Sequence, residues 1–415
     1  MDAYYELARG YLLDYIKINT SNPPGNIEEA ICFWKQIYEK ENIRYEIYEH
    51  ENGKKSICGF ITDSAMNEKR VVLLNHMDVV PADEIKWNHP PFSGEADDQY
   101  IYGRGTIDMK GLAIVQFAVA LYIRKSGFAM KRDLCILSVP DEETGGFFGA
   151  KFVVQKYLSN LNPFVVLDEG TFAIRKENIN FFISYSQKKT LWLKICAFGK
   201  EGHGACPTQD NANNIIIRAL EKLCRNPFYN GIELSGDIHS DVKMEYGLEN
   251  ILTHNTISIT SILSQSEPNV KPKYAEAVLD CRLMPDTDVG EFIEQLGHEF
   301  DDERIKIQVI KRTNQVSYSK TDHEIIGFIK NAITKHVSNA NVKTIVTPVG
   351  TDSKYFRDAG VDSYGFFPII LTLEELNLMH GTDEKLSLHN LKIAIDIYKD
   401  VLCNYAKEAN ELCKV

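Results

Sequence analysis

Residues 71–78 read VVLLNHMD, an apolar run that stops at Asn75 and leads directly to His76 and Asp78. Four consecutive apolar residues followed by polar ones predict a buried strand that delivers His76 at its end. Side chains alternate along a strand, so His76 and Asp78 share one face, and a neighbouring acceptor sets the tautomer of a metal-binding histidine. A single histidine in this place is more often structural than a ligand, so the interpretation depends on the rest of the chain.

The size and composition of the chain define its broad class. With 415 residues and 44% hydrophobic content, the chain exceeds one typical compact unit and predicts two domains. The net charge of -12 and the lack of long Lys/Arg clusters argue against nucleic-acid binding. The nine cysteines form no CxxC pair, so neither a disulfide framework nor a thiolate zinc site is expected. Without a signal peptide or an apolar run of about 20 residues, the chain is predicted to be soluble and cytoplasmic.

Strand-like and helix-like segments alternate through the first part of the chain. The pattern predicts helices at 3–18, 27–41, 110–125 and 149–158, and strands at 71–74, 134–139 and 164–167. This alternation is typical of βαβ units and predicts an α/β fold with a mostly parallel sheet.

Acidic residues and a histidine follow each of these predicted strands. His76 and Asp78 follow the first, residues 141–143 read DEE after the second, and Asp168 and Glu169 follow the third. Functional groups of open α/β sheets gather at the carboxyl ends of the strands. Carboxylates brought together there repel one another unless a cation neutralises them, so the sequence predicts a metal site at this edge.

A glycine-rich loop at residues 103–111 presents Asp108 just before a predicted helix. Glycines at 103, 105 and 111 suggest a backbone that turns tightly near a site. An aspartate at a helix start is also an ordinary N-cap, and the loop alone does not separate the two interpretations.

The pattern of predicted strands and helices changes at about residue 187. Residues 187–312 combine predicted strands at 191–196, 256–262 and 275–283 with a helix at 212–224, which predicts an inserted α+β domain. From residue 313 the alternation of helix and strand returns, with helices predicted at 324–336 and 388–406. The expected organisation is an α/β domain in two parts, 1–186 and 313–415, with an insertion at 187–312.

Four motifs follow one another along the chain: HMDVVP at 76–81, GRG at 103–105 continuing to DMKG at 108–111, DEETGG at 141–146 and HGTDE at 380–384. In this order they resemble the zinc amidohydrolase and exopeptidase family that includes acetylornithine deacetylase, succinyl-diaminopimelate desuccinylase, aminoacylase and glutamate carboxypeptidase. The resemblance covers nearly the whole chain. It implies a zinc-exopeptidase-like mixed sheet with helices on both faces, and it makes the insertion a lid and dimerisation domain.

The resemblance also implies a ligand set for two zinc ions, with cobalt or manganese as possible substitutes. His76 and Glu169 would bind one ion, Glu143 and His380 the second, and Asp108 would bridge them. Such nitrogen and carboxylate ligands suit a catalytic zinc pair rather than a closed cysteine site. Asp168 is an alternative to Glu169.

The resemblance implies catalytic roles for three further residues. Asp78 would be the partner that orients His76. Glu142 matches the general base, which takes a proton from the attacking water and passes it to the leaving amine. His203, in the sequence GHGA at 202–205, matches a histidine that reaches the active site of a neighbouring subunit and stabilises the oxyanion.

Substrate contacts are implied by four other positions. Asn269 and Arg282 match residues that bind substrate oxygens, and the guanidinium of Arg282 suits a carboxylate. A surface ion pair on a strand is the alternative for Arg282. Gly350 and Thr351 match a loop near the substrate carboxylate, although Val349 stands where the family usually has a second glycine.

These observations predict a homodimeric zinc hydrolase that cleaves an amide, in an N-acyl amino acid or a small peptide, next to a free carboxylate. A dipeptidase or carboxypeptidase is the alternative to a deacylase. A non-catalytic binding protein on the same scaffold is the alternative from another class. The presence of Glu142 argues against that last alternative, because a protein that has lost catalysis has no need of a base beside its ligands.

Overall fold

The computed structural model describes residues 1–62, 69–128, 130–175, 178–225, 228–231, 248–264, 267–313 and 316–407. The chain divides into two compact units. The larger unit comprises Met1–Tyr185, Tyr318–Ile345 and Thr351–Val415, and the smaller unit comprises Ser186–Ser317 and Val346–Gly350. The smaller unit is therefore inserted in the chain of the larger one, and it is joined by a short segment from the later part of the sequence.

The helices and strands of the first part of the chain are α1 (Asp2–Ile16), α2 (Glu28–Lys40), β1 (Arg44–Glu49), β2 (Lys55–Phe60), β3 (Arg70–His76), β4 (Tyr100–Tyr102), α3 (Lys110–Ser126), β5 (Asp133–Val139), α4 (Ala150–Leu161), β6 (Pro163–Asp168), β7 (Ala173–Arg175) and β8 (Ile179–Gln187). Helix α3 ends at Gly127, whose φ of 65° lies in the left-handed region that favours glycine. Short 3₁₀ turns cover Glu84–Lys86 and Glu142–Thr144.

The inserted part contains β9 (Lys189–Phe198), β10 (Gly202–His203), α5 (Ala212–Arg225), β11 (Phe228–Gly231), α6 (Leu248–Thr253), β12 (His254–Ser264), β13 (Val270–Lys271), β14 (Tyr274–Leu283), α7 (Val289–Phe300) and β15 (Ile305–Arg312). The last part contains α8 (Glu324–His336), β16 (Ala340–Thr347), α9 (Ser353–Asp358), β17 (Ser363–Gly365), β18 (Ile370–Leu371), α10 (Leu373–Leu376), β19 (Lys385–Ser387) and α11 (Leu388–Lys407).

The main sheet of the larger unit is mixed, in the strand order β1-β2-β5-β3-β6-β17-β8-β7-β18, with β16 paired to β8. Strands β5, β3, β6 and β17 run parallel, while β1 pairs antiparallel with β2, and β2 with β5. The prediction of a mostly parallel sheet is right for the centre and wrong for β1, β2 and β8, which form antiparallel pairs. A short turn joins β1 to β2, and a connection of that length permits only antiparallel pairing. The mixed sheet implied by the resemblance is confirmed.

Strand β3 is buried on both of its faces. Val71 and Leu73 belong to one hydrophobic cluster, and Val72 and Leu74 belong to another. The first cluster includes side chains of α1, α3, α8 and α11, namely Leu12, Phe117, Ile329 and Ile397. The second includes Val153 of α4 and Phe356 of α9. Helices on both faces explain why the strand reads as a continuous apolar run rather than an alternating one.

The smaller unit has an antiparallel sheet in the order β11-β12-β14-β9-β15. Alternate residues of β9 and β14 pack with α5 and α7 in one hydrophobic cluster, which includes Leu193, Leu279, Ile216 and Phe292. The intervening residues of the same strands combine charged side chains, as in the Lys194–Glu276 ion pair, with apolar ones such as Trp192 and Val278. The helices therefore cover one apolar face of the sheet, as is common for antiparallel sheets.

Among the residues that the structure describes, no helix is both long and apolar enough to cross a membrane.

Candidate metal centre

The carboxyl ends of three neighbouring parallel strands bring the predicted site residues to one edge of the main sheet. Strand β3 lies between β5 and β6 and ends at His76. Glu142 and Glu143 lie in the 3₁₀ turn that follows β5, and Glu169 directly follows β6. The parallel register of these strands is what places residues from 76 to 169 beside one another.

Two loops add the remaining candidate ligands. Asp108 precedes α3, and its side chain is largely buried. His380 lies between α10 and β19, with 49% of its side chain exposed and a φ of 61°. A positive φ is uncommon for a residue other than glycine, so the local structure holds His380 in a restricted conformation.

Asp108 is shared between two groups of possible metal ligands. Its Oδ1 lies 3.0 Å from Nε2 of His76, and its Oδ2 lies 2.9 Å from Nε2 of His380. The first group contains His76, Asp108 and Glu169, and the second contains Asp108, Glu143 and His380. The ligand atoms of each group lie within 4.8 Å of one another. A carboxylate whose two oxygens face different histidines can bridge two cations.

The electrostatics of the carboxyl groups indicate a need for positive charge. Burial raises the pKa of both Glu143 and Glu169 to about 8, and the negative charge of Asp108 adds to each rise. Burial also raises the pKa of Glu142 well above its usual range, and Glu169 adds to this rise while His76 opposes it. Metal ligands bind in their deprotonated form, so divalent ions would replace the protons that these groups otherwise retain.

The histidines respond to the same negative charge. Burial opposes the protonation of His76, but the carboxylates of Glu169 and Asp108 raise its pKa well above the usual range. A hydrogen bond with Asp108 raises the pKa of His380. Burial opposes ionisation of Asp108, but its hydrogen bonds with the two histidines hold its pKa below the usual range. The central carboxylate is therefore ionised, as a bridging ligand must be.

The donor atoms of the two groups fit zinc. Each group offers one imidazole nitrogen and carboxylate oxygens, and neither of these groups, found among the described residues, contains a cysteine. Catalytic zinc sites typically have only about three protein ligands per ion, and these are often nitrogen and oxygen atoms. The remaining coordination positions stay open for water and substrate.

Asp78 has a wider role than the sequence predicts. The acceptor for Nδ1 of His76 is the backbone oxygen of Asp78 at 2.8 Å, whereas the carboxylate lies 3.7 Å away, so the acceptor expected from the side chain is supplied by the main chain. The fully buried carboxylate instead accepts the backbone N–H groups of Glu142 and Glu143, each at 3.2 Å. One residue therefore connects the orientation of His76 to the turn that carries both glutamates.

The structure favours Glu169 over Asp168 as the carboxylate that faces the centre. Oδ2 of Asp168 accepts hydrogen bonds from the backbone N–H of Ser353 at 2.9 Å and from its hydroxyl at 2.6 Å. Oε1 of Glu169 lies 3.4 Å from Nε2 of His76. Asp168 thus connects β6 to the start of α9, while the next residue points to the candidate ligands.

In the smaller unit the structure brings His203 and Asn269 together. Strand β10 pairs with β13, and the N–H of Gly204 donates to the backbone oxygen of Asn269 at 2.7 Å. Nδ1 of His203 accepts the N–H of Ala205 at 3.1 Å, so the proton of the neutral ring is on Nε2. The side chain is exposed and presents a hydrogen-bond donor.

Arg282 forms the strand ion pair that the sequence left as an alternative. Its Nε and Nη2 donate to the two carboxylate oxygens of Asp280 at 2.8 and 3.0 Å, and Nη1 donates to the hydroxyl of Thr190 at 3.1 Å. Three of its five N–H groups are therefore engaged within the smaller unit.

Gly350 belongs to the smaller unit and Thr351 to the larger one.

Sequence reasoning missed residues that support the centre from a distance in the chain. Nδ2 of Asn22 donates to Oδ2 of Asp78 at 2.8 Å, across 56 residues. Glu384 and Arg104 form a fully buried ion pair with a 2.6 Å contact. Both of the paired residues lie inside quoted motifs, HGTDE and GRG, so their position was the available signal. Asn22 lies in a turn-rich segment and has no comparable signal.

The sequence pattern of the family described as Peptidase family M20/M25/M40 matches residues 72–404, which is most of the chain. The chain belongs to peptidase family M20/M25/M40. Among its relatives, aminoacylase-1 of Dictyostelium discoideum is 28% identical over 401 residues, covering 94% of this chain and 95% of that protein. The family match and this relative confirm the resemblance and show that this M20 member is a hydrolytic enzyme.

Solved structures agree with the M20 fold. An M20 family metallo-carboxypeptidase from Sulfolobus solfataricus superimposes with a TM-score of 0.73 at 17% identity, covering 95% of this chain and 98% of that one. A di-peptidase from Saccharomyces cerevisiae has the same TM-score at 14% identity, covering 98% and 97%. At these identities the likeness shows the fold alone.

The contacts of Asp78 generate a testable prediction. Asp78→Asn replaces one acceptor oxygen by a donor amide, which would face the N–H groups of Glu142 and Glu143 or the amide of Asn22. Because such supporting residues orient ligands, we expect the variant to lose about 10–100-fold in zinc affinity. Competition with a chromophoric chelator measures it. The control is Asp83→Asn, on an exposed aspartate paired with Lys86, which should bind zinc as the wild type does. Equal affinity in both variants would contradict this role.

Proposed function

We propose that this M20 enzyme is a dinuclear zinc hydrolase that cleaves the amide of an N-acyl amino acid or small peptide next to a free carboxylate. The observation that carries the proposal is Asp108, whose two oxygens face two different histidines at 3.0 and 2.9 Å. In this proposal His76 and Glu169 complete the first zinc site, and Glu143 and His380 complete the second. Cobalt or manganese could take the place of zinc.

Two divalent ions would supply Lewis acidity, which polarises the amide carbonyl and makes water a stronger nucleophile. Glu142 would accept the proton that water loses as its oxygen attacks the carbonyl carbon. The same carboxyl group would then give that proton to the amide nitrogen as the C–N bond breaks, releasing a carboxylic acid and an amine. The hydrogen bond from the Glu142 N–H to Asp78 supports this assignment, because it connects the base to the main chain that orients His76.

A deacylase is the first candidate for the substrate class. Its support is aminoacylase-1 of Dictyostelium discoideum, which matches this chain over nearly the full length of both proteins. A dipeptidase or carboxypeptidase is the second candidate, because the di-peptidase and metallo-carboxypeptidase structures share the fold. The zinc identity, the homodimer and the cytoplasmic location stay predictions.

We further propose that His203 donates a hydrogen bond to the oxyanion in the active site of a second subunit. The proton on Nε2 and the exposed ring support this role, since an oxyanion needs a donor that can reach it. Asn269, adjacent to His203 through the pairing of β10 with β13, would contact a substrate oxygen from the same strand pair. Gly350 and Thr351 would lie near the substrate carboxylate.

Glu142 and Glu143 allow the mechanism to be tested with two isosteric variants. Glu142→Gln should keep both zinc ions and lose about 10²–10⁴-fold in kcat, because it removes the proton carrier without removing a ligand. Glu143→Gln should lose one zinc ion per chain. Zinc content and hydrolysis of a panel of N-acetyl amino acids and dipeptides measure both effects. Near-normal turnover of Glu142→Gln would reject its role as base, and two zinc ions in Glu143→Gln would reject the second site.

The proposed carboxylate contact of Arg282 has a matched control in its own ion pair. Wild-type enzyme should hydrolyse an N-acetyl amino acid far faster than the corresponding amide. Arg282→Ala should raise KM for the acid more than it lowers kcat, because an anchoring contact is nearly equal in the ground and transition states. Asp280→Asn keeps the guanidinium and should retain the preference for the acid. If both variants behave alike, Arg282 serves the strand ion pair and does not bind substrate.

Subunit mixing tests His203. His203→Ala should be nearly inactive yet fully loaded with zinc, since a positioned oxyanion donor contributes about 10²–10³ in kcat. Mixing it with His76→Ala under conditions that exchange subunits should restore activity, because one site of the heterodimer then combines an intact metal centre with an intact His203. Lack of recovery in verified heterodimers would show that His203 does not act across subunits.

A further inference from the structure

The Glu384 carboxylate lies under the loop that carries Asp108. It is fully buried, and its Oε1 accepts the backbone N–H of Ile107 at 2.7 Å and of Asp108 at 3.3 Å. Its Oε2 accepts the N–H of Gly105 at 3.1 Å. One carboxylate therefore accepts three backbone N–H groups of the loop, while the intervening N–H of Thr106 donates to the backbone oxygen of Gly103.

Arg104 connects the same carboxylate to the His380 loop. Its Nη1 donates to Glu384 at 2.6 Å, and its Nη2 donates to the backbone oxygen of Gly381 at 2.8 Å. The N–H of Gly103 donates to the backbone oxygen of Glu384 at 2.9 Å. The guanidinium also lies 5.2 Å from the ring of Trp87, and only 2% of the residue is exposed.

We propose that the Arg104–Glu384 ion pair positions Asp108 and His380 relative to each other and thereby sets the affinity of the second metal site. This inference rests on the proposed metal centre. Arg104 and Glu384 touch no reacting atom, so they are positioning residues. Their contacts end on the backbone of Asp108 and on the residue that follows His380.

The two metal sites differ in what else holds their ligands. His76 ends β3 and Glu169 follows β6, and both strands lie in the centre of the main sheet. His380 lies on a loop, and the strand that follows it, β19, pairs with β4 in a two-stranded sheet. A half-exposed histidine on such a loop depends on local side-chain contacts for its position. Loss of the ion pair should therefore weaken the second site far more than the first.

The chemistry of the Arg104–Glu384 pair explains why chemically similar residues would not replace it. Arg can contact a carboxylate and a carbonyl oxygen at once through its planar fork, whereas the single ammonium of Lys acts as a point charge. Glu384→Gln keeps the size and one acceptor oxygen but loses the charge that the guanidinium faces. Arg104→Lys conserves the charge and removes the planar fork. Glu384→Gln is nearly isosteric and removes the negative charge.

The test measures each zinc site separately. In a His76→Ala background, competition with a chromophoric chelator reports zinc affinity of the second site, and in a His380→Ala background it reports the first. Adding Glu384→Gln should lower second-site affinity about 10–100-fold, a loss typical of residues that orient ligands. First-site affinity should fall less, because the shared Asp108 is disturbed while His76 and Glu169 keep their positions at the ends of β3 and β6. Arg104→Lys should reproduce this difference and decides the question if Glu384→Gln fails to fold.

The matched control is Glu41→Gln, which removes an ion pair between Glu41 and Lys125 in the same unit, with a contact of 2.6 Å. It should leave both zinc affinities unchanged. The inference would be overturned if Glu384→Gln or Arg104→Lys leaves second-site affinity unchanged, or if both sites lose affinity equally. Two zinc ions in the wild type would still leave the proposed function intact. A wild-type chain that binds no zinc would reject the proposed function itself, and the inference with it.

Discussion

The buried carboxylate of Asp78 is the constraint on which the candidate centre depends. It accepts the N–H groups of Glu142 and Glu143, while its backbone oxygen orients His76 at 2.8 Å. A buried charge without partners is costly, so the donors that surround it, including Asn22, stabilise it in this position. The proposed base, one candidate ligand of each proposed metal site and the end of β3 are therefore connected through one residue.

The fold supplies this arrangement through the parallel centre of the sheet. Strands β5, β3 and β6 end at the same edge, so short turns after each strand are enough to collect a histidine and three glutamates. Two candidate ligands come from loops instead, and these loops are connected by a buried ion pair rather than by the sheet. The centre thus combines ligands fixed by strands with ligands fixed by side-chain contacts, and the two kinds should differ in their sensitivity to substitution.

Much of this arrangement could be predicted from local sequence. Helix α8 begins at Glu324 and ends at His336, as its apolar spacing predicts, and an apolar run predicts β3. The candidate ligands follow from the resemblance that the motifs carry in their order, since no single motif identifies them. The sequence does not predict the β1–β2 hairpin, because β1 has few buried residues. It does not predict the contacts of Asn22 and Glu384 either, because their partners lie 56 and 276–280 positions away in the chain. Long-range partners of this kind follow from the folded chain and leave no periodicity in the sequence.

Anomalous diffraction from zinc-loaded crystals tests the central claim most directly, because it locates the ions without reference to activity. The account predicts two zinc peaks, both in contact with Asp108. One should also contact His76 and Glu169, and the other Glu143 and His380. A single peak, or two peaks of which one lacks contact with Asp108, would contradict a dinuclear centre bridged by this carboxylate.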